Sequence, residues 1–184
     1  MKQKDIRYKR TREAIFLAMI SLLKRHDFDH ISVKMICEEA SVSRSGFYLH
    51  FVDKYALVDS YMTDFLNYAN TLVQQTPIRS KQRFLLHMLT HLKNEGQLIA
   101  LLLSKNGSIE IQTRMKQLIQ QNAKQNILPY LDLTITTPTE ERFALAFLSN
   151  AIFGILQEWI NSGQVESPET IVQLLNKLIA IDFR

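Results

Sequence analysis

Helical periodicity runs through almost the whole sequence, and it leaves a helical bundle as the architecture the chain can adopt. Ile15, Met19, Leu22 and Leu23, widened by Phe16 and Ile20, give one apolar stripe of a helix over about residues 6–25. Leu57, Tyr61, Phe65 and Leu72 mark another, capped by Asp53 and running to about residue 75. The breakers between stripes are few: 5 Gly and 4 Pro in 184 residues. Thr76-Pro77 ends the fourth helix and is the one internal boundary the pattern offers. Helices are expected at about 80–94, 97–105 and 108–128, the last closed by Pro129. Residues 133–137 are the only β-branched patch, short enough to be a loop. Pro138-Thr139-Glu140-Glu141 opens a helix to about 162, with Gly163 suited to its C-terminal cap. Ser167-Pro168-Glu169 opens a final helix to about 180.

The expectation is therefore an all-α fold of about nine helices. Its organisation is read as a small head over 1–53, a connecting helix over 54–76 and a larger helical body over 77–184. No apolar run approaches the roughly 18 residues of a membrane span, and no secretory pattern precedes the first helix. A cytoplasmic protein without membrane attachment is expected. A single cysteine, Cys37, excludes an intramolecular disulfide and a cysteine-based zinc site. It falls on an apolar stripe and reads as a core thiol.

Charge is uneven. Residues 1–54 hold eleven Lys and Arg against seven Asp and Glu, whereas the rest holds eleven of each. The whole net charge of +4 thus sits on residues 1–54, which points to a polyanionic partner.

The stretch from Ser32 to Lys54 gives that partner a shape. Ser32 caps a second helix over 33–40 with Val33, Ile36 and Cys37 facing inward. Ser41-Val42-Ser43 breaks it, and Ser43 caps a third short helix over 44–49. Two short helices joined by a tight turn form a helix-turn-helix. The leading residues of its second helix must be polar or small to meet base edges, as Ser43, Arg44, Ser45 and Gly46 are. Phe47 and Phe51, four apart, would anchor the other side. Arg44 can give two hydrogen bonds to guanine O6 and N7. Ser43 and Ser45 can reach base or phosphate. Ser32 and Lys34, at the start of the second helix, and Lys54, at the start of the fourth, would meet phosphates. The basic run before Thr11 is expected to form an arm over the adjacent minor groove.

Phe47-Tyr48-Leu49-His50-Phe51-Val52-Asp53-Lys54, the following Leu57, and the upstream Ile36 and Ala40-Ser41-Val42-Ser43 resemble the TetR family of one-component transcription regulators. The likeness covers about the first third of the chain. It implies Tyr48 and His50 as phosphate contacts, double-stranded DNA as partner, and a palindromic operator bound by a homodimer. It also implies a repressor released when a small-molecule effector enters the body. The alternative is control by a protein co-effector, or a helical protein-interaction module. The family commonly has Gly where this chain has Ser41, so a side chain here has to tolerate a positive φ.

The body is larger than DNA binding requires. Phe143, Phe147, Ala151, Ile155 and Trp159 lie nearly on one face of the penultimate helix, while Ala144, Leu148, Ile152 and Leu156 fill the next. So wide an apolar arc must be covered on two sides. A partner's helix pair, making a four-helix bundle, would cover the outer one. Tyr61, Phe65, Tyr68, Phe84, Met88, Leu92, Met115 and Ile119 are candidate lining residues of an effector pocket. His87, His91 and Glu95 fall at i, i+4 and i+8, a spacing zinc can use, though the edge of an amphipathic helix explains it more simply. No catalytic triad, phosphate loop or cofactor motif is present, so neither an enzyme nor a bound cofactor is expected.

Overall fold

The computed structural model describes residues 2–75, 81–126, 128 and 134–179. Among these the fold is all-α: α1 (Lys2–Leu23), a 3₁₀ turn (Phe28–His30), α2 (Val33–Glu39), α3 (Arg44–Tyr48), α4 (Lys54–Gln75), α5 (Lys81–Asn94), α6 (Gln97–Leu103), α7 (Ile109–Asn126), α8 (Pro138–Asn161) and α9 (Pro168–Ile179). The boundary at Thr76-Pro77 and the stop at Pro129 lie outside the described residues.

Local chemistry sets each start. Side-chain oxygens of Ser32, Ser43, Asp53 and Ser108 accept from the backbone N–H groups of Met35, Gly46, Ala56 and Ile111. Thr137 and Glu140 form a reciprocal capping box with Pro138 in the first turn of α8. Ser167 caps α9 through Thr170 N–H.

Two helix ends are Schellman turns. After α2, Ser41 N–H bonds to Glu38 O and Val42 N–H to Cys37 O. Ser41 takes φ 53° there, the strained position its side chain made foreseeable. After α8, Gly163 (φ 85°) and Gln164 (φ 54°) repeat the pattern on Ile160 O and Trp159 O.

The head closes α1, α2, α3 and the start of α4 around Ile15, Met19, Leu23, Phe28, Ile31, Ile36, Phe47 and Leu57, all at most 1% exposed. Cys37 is buried at its edge, as its stripe foretold, and burial pushes its thiol pKa up. The body's most extensive helix pairing is α7 with α8. Head and body meet at the α6–α7 turn. Phe28 N–H donates to Asn106 O at 2.9 Å, and the Asn106 side-chain amide donates to Leu23 O at 3.1 Å. Gly107 holds this turn against Leu102, where an added Cβ would fall 1.6 Å from the carbonyl oxygen. Arg114 of α7 adds an ion pair to Asp59 of α4 at 3.1 Å.

Trp159 corrects the sequence reading. It is 2% exposed and its indole N–H donates to Glu166 O at 3.1 Å, so it belongs to the chain's own core. The turn after α8 folds back over the ring, which helical periodicity within α8 does not reveal. Phe143 and Phe147 are 63% and 59% exposed, and Ala151 and Ile155 are half-buried. Leu174 and Leu178 of α9 are exposed as well. α8 has the length and hydropathy of a membrane span, 1.4 over its most apolar window. A helix buried on one face against α7 and apolar on another has that composition without a bilayer.

Candidate nucleic-acid interface

α3 is a five-residue helix with two unlike sides. Phe47 is fully buried, its ring 5.8 Å from that of Phe51, which itself lies 5.6 Å from Phe16 of α1. This aromatic column ties α3 to the head. Ser43, Arg44, Ser45 and Tyr48 are exposed on the other side, and Gly46 is half-buried. Arg44 makes no hydrogen bond or ion pair among the described residues, so its guanidinium is free to meet an external acceptor. The Ser43 hydroxyl accepts the cap bond from Gly46 N–H at 3.0 Å and lies 3.0 Å from the Ser45 hydroxyl. Between them the two serines still have a hydroxyl proton to offer outward. A side chain at Gly46 would crowd Ser43 Oγ, 3.2 Å from the added Cβ.

Around this tip lie the other expected contacts. Ser32 is exposed at the start of α2, its oxygen accepting from Met35 N–H and its proton uncommitted. Lys34 pairs with Glu38 only at 3.8 Å, both side chains about two-thirds exposed. Such a pair yields readily to a phosphate. Tyr48 is 55% exposed with its ring against Phe47. His50 is half-buried beneath Tyr8 of α1, ring centroids 4.0 Å apart, and its Nδ1 is enclosed. Burial, and then the charge of Arg12, hold its pKa below the ordinary value.

Lys54 departs from expectation. Its ammonium donates to the carbonyls of Phe28, Asp29 and Ile31 at 2.8, 3.1 and 2.9 Å, and sits 4.6 Å over the Phe28 ring. All three N–H donors are used inside the head, so this side chain braces the 3₁₀ turn instead of reaching for phosphate. Burial lowers its pKa, opposed by Asp29.

The basic run also differs from the expected arm. Described as helix from Lys2 onward, it extends α1 to 22 residues. Tyr8 was missed as a site residue. It lies four before Arg12 and seven before Ile15, so extending the α1 stripe backward would have found it.

The expected pocket residues divide. Phe65 and Tyr68 of α4 stack on His91 of α5, with centroids 5.1 and 3.7 Å apart. Phe84 and Met88 are half-buried on α5. Tyr61 is drawn elsewhere: its ring meets Phe16 edge-on and its hydroxyl donates to Glu95 O at 2.6 Å. Met115 is buried in the core of the body, as is Leu92, and Ile119 is packed at its margin. Burial lowers the His91 pKa and nearby Glu95 opposes it. His87 is exposed one turn earlier.

Comparison with known proteins matches two family models. Residues 11–61 match the one described as bacterial regulatory proteins, tetR family, and residues 80–180, more than half of the chain, match the transcriptional regulator C-terminal region of TetR type. A curated relative in Bacillus subtilis (strain 168), described as the uncharacterized HTH-type transcriptional regulator YxbF, is 24% identical over 169 residues. That alignment spans 89% of this chain but 43% of the relative, less than half its length. A solved TetR transcriptional regulator from Streptococcus agalactiae 2603V superposes with a TM-score of 0.71 at 24% identity, covering 97% of this chain and 98% of that one. NalD of Pseudomonas aeruginosa, described as the secondary repressor of a multidrug efflux pump, superposes with a TM-score of 0.64 at 23% identity, covering 93% and 95%.

Proposed function

The chain belongs to the tetR family of bacterial regulatory proteins, a DNA-binding transcriptional regulator, and from there we propose how it works. Two copies associate, and their α3 helices read the two halves of a palindromic operator. The protein acts as a repressor, and an effector taken up by the helical body releases it. The observation that carries this reading is the two-sidedness of α3. Phe47 is sunk at 0% exposure while Ser43, Arg44 and Ser45 stand outward with hydrogen-bonding capacity to spare. In this reading Arg44 contacts a base edge, Ser43 and Ser45 contact base or phosphate, and Ser32, Lys34, Tyr48 and His50 hold the phosphate backbone.

Pairing is supported by apolar side chains left exposed on the last two helices, Phe143 and Phe147 of α8, which also carries half-buried Ala151 and Ile155, and Leu174 and Leu178 of α9. Gly154 on α8 has nothing within 4 Å of an added Cβ, which leaves room for a neighbouring helix. A second copy offering the same face completes a four-helix bundle. The effector site is assigned to the Phe65, Tyr68 and His91 rings, with Phe84 and Met88 nearby. Release follows only if the effector binds the DNA-incompetent arrangement more tightly than the competent one.

The test is selection of duplexes from a random pool by the purified protein. An inverted repeat with half-site centres one or more helical turns apart, ~34–36 Å per turn, is expected. Enrichment of no sequence, or of an asymmetric one, would overturn the dimeric reading. Placed over a promoter, the selected site should lower transcription; a rise would reverse the assigned sign.

A further inference from the structure

We infer that the leading turns of α1 are a second DNA-contacting element, a stiff cationic rod that lies along the sugar-phosphate backbone beside each half-site and reads no bases. The inference rests on the DNA-binding reading above and concerns residues outside the helix-turn-helix.

Three observations carry it. The first is charge without a partner. Arg12, where α1 enters the head, is tied down: its guanidinium bonds to Ser60 Oγ and Asp64 Oδ2, each at 2.8 Å, and lies 4.6 Å over Phe16. Arg7, Lys9 and Arg10, just before it, are exposed and have no ion pair or side-chain hydrogen bond among the described residues. The partly buried cation is satisfied by α4, and the three exposed ones before it are left to solvent.

The second is position. Tyr8 sits in the middle of this group and stacks on His50 with ring centroids 4.0 Å apart. His50 lies two residues beyond the end of α3, so the stack fixes the basic turns beside the reading helix. At 100° per residue, Arg7 and Lys9 leave the helix on either side of Tyr8 and Arg10 leaves it behind.

The third is width. With side chains, an α-helix is about 10–12 Å across, and the minor groove of B-DNA is only about 6 Å wide. An extended arm enters that groove; a helix does not. The major groove, at about 12 Å, already holds α3 in this reading. What remains within reach of Arg7, Lys9 and Arg10 is phosphate. Because the turns are helical before DNA arrives, little ordering entropy opposes the contact.

The experiment measures affinity for the selected operator across about 50 to 200 mM salt, beside a scrambled duplex. The wild type is compared with Arg7→Gln/Lys9→Gln/Arg10→Gln. These side chains lie outside the core, and helix content by circular dichroism checks that α1 persists. Each lost phosphate contact lowers the slope of log affinity against log salt by about 0.9. The triple variant should be shallower by about 2 or more per dimer, with an unchanged operator-to-scrambled ratio. Tyr8→Ala keeps every charge but frees the rod, so it should weaken binding, and Tyr8→Phe should restore it. An unaltered slope in the triple variant overturns the inference while leaving the regulator reading intact. So does a loss of sequence discrimination, which would mean base contact. Wild-type Tyr8→Ala affinity overturns the positioning by His50. Absence of salt-dependent DNA binding by the wild type is a failure of the regulator reading itself, and this inference falls with it.

Discussion

The Lys54 ammonium and the Phe28 carbonyl oxygen lie 2.8 Å apart, and the same ammonium sits 4.6 Å over the Phe28 ring. A lysine at the mouth of α4 thus closes the 3₁₀ turn that precedes α2, joining segments 26 residues apart in sequence. Lys54→Met should cost about 2 kcal/mol, the scale for leaving partly buried carbonyls without their donor. Urea unfolding checks the cost. In operator binding the variant should keep the wild-type salt slope, since this ammonium is spent internally. A shallower slope would return Lys54 to the phosphate contacts.

Ser41 stores removable strain. Its φ of 53° costs an L-residue about 1–2 kcal/mol, and glycine takes the conformation freely but loses more chain entropy on folding. Ser41→Gly should raise stability by about 0.5–1 kcal/mol, and Ser41→Val should lower it by at least as much. Thermal melting of the two variants checks the sign.

Phe147 and Trp159 separate the two faces of α8. Phe147→Glu places a charge on the outer face, 59% exposed in the single chain, and should leave a folded monomer by sedimentation. Trp159→Ala empties a core site and should cost about 3–5 kcal/mol. Should Phe147→Glu sediment as a dimer, the assembly face lies elsewhere.

The two histidines whose pKa values are held down by burial, His50 and His91, impose a pH dependence. In the native state they resist protonation, whereas the unfolded chain takes up protons near the ordinary value of 6.5. Stability should therefore be full above that pH and fall as pH drops through it. Glu39, Glu140 and Glu169 have pKa values shifted down from 4.5, so their contribution is lost only in more acid solution. Melting between about pH 7 and 5 isolates the histidines, and His50→Phe/His91→Phe should flatten the curve.

Much of the fold could be read from the sequence because its signals are local. Caps at Ser32, Ser43 and Asp53, the strained turn at Ser41 and the Pro138 start each depend on residues a few positions apart. So does the division of α3 into an anchored and an outward side. What escaped depends on distant partners. Trp159 is covered by the turn after α8. Lys54 is claimed by carbonyls more than twenty residues away, and Asn106 bonds to Leu23 across 83 residues. No periodicity within one helix encodes such contacts. The basic run was legible as charge, and as helix from about residue 6, but the stack that holds it, Tyr8 on His50, joins residues far apart in sequence.

The central claim is that the outward tip of α3 reads sequence, and Arg44→Ala on the selected operator tests it most directly. Arg44 has no bond within the described chain, so melting should be unchanged. Discrimination against a substituted base pair in each half-site should fall by about 1–3 kcal/mol, roughly five- to 150-fold, with non-specific affinity little altered. Undiminished discrimination at every position of the operator would contradict the account.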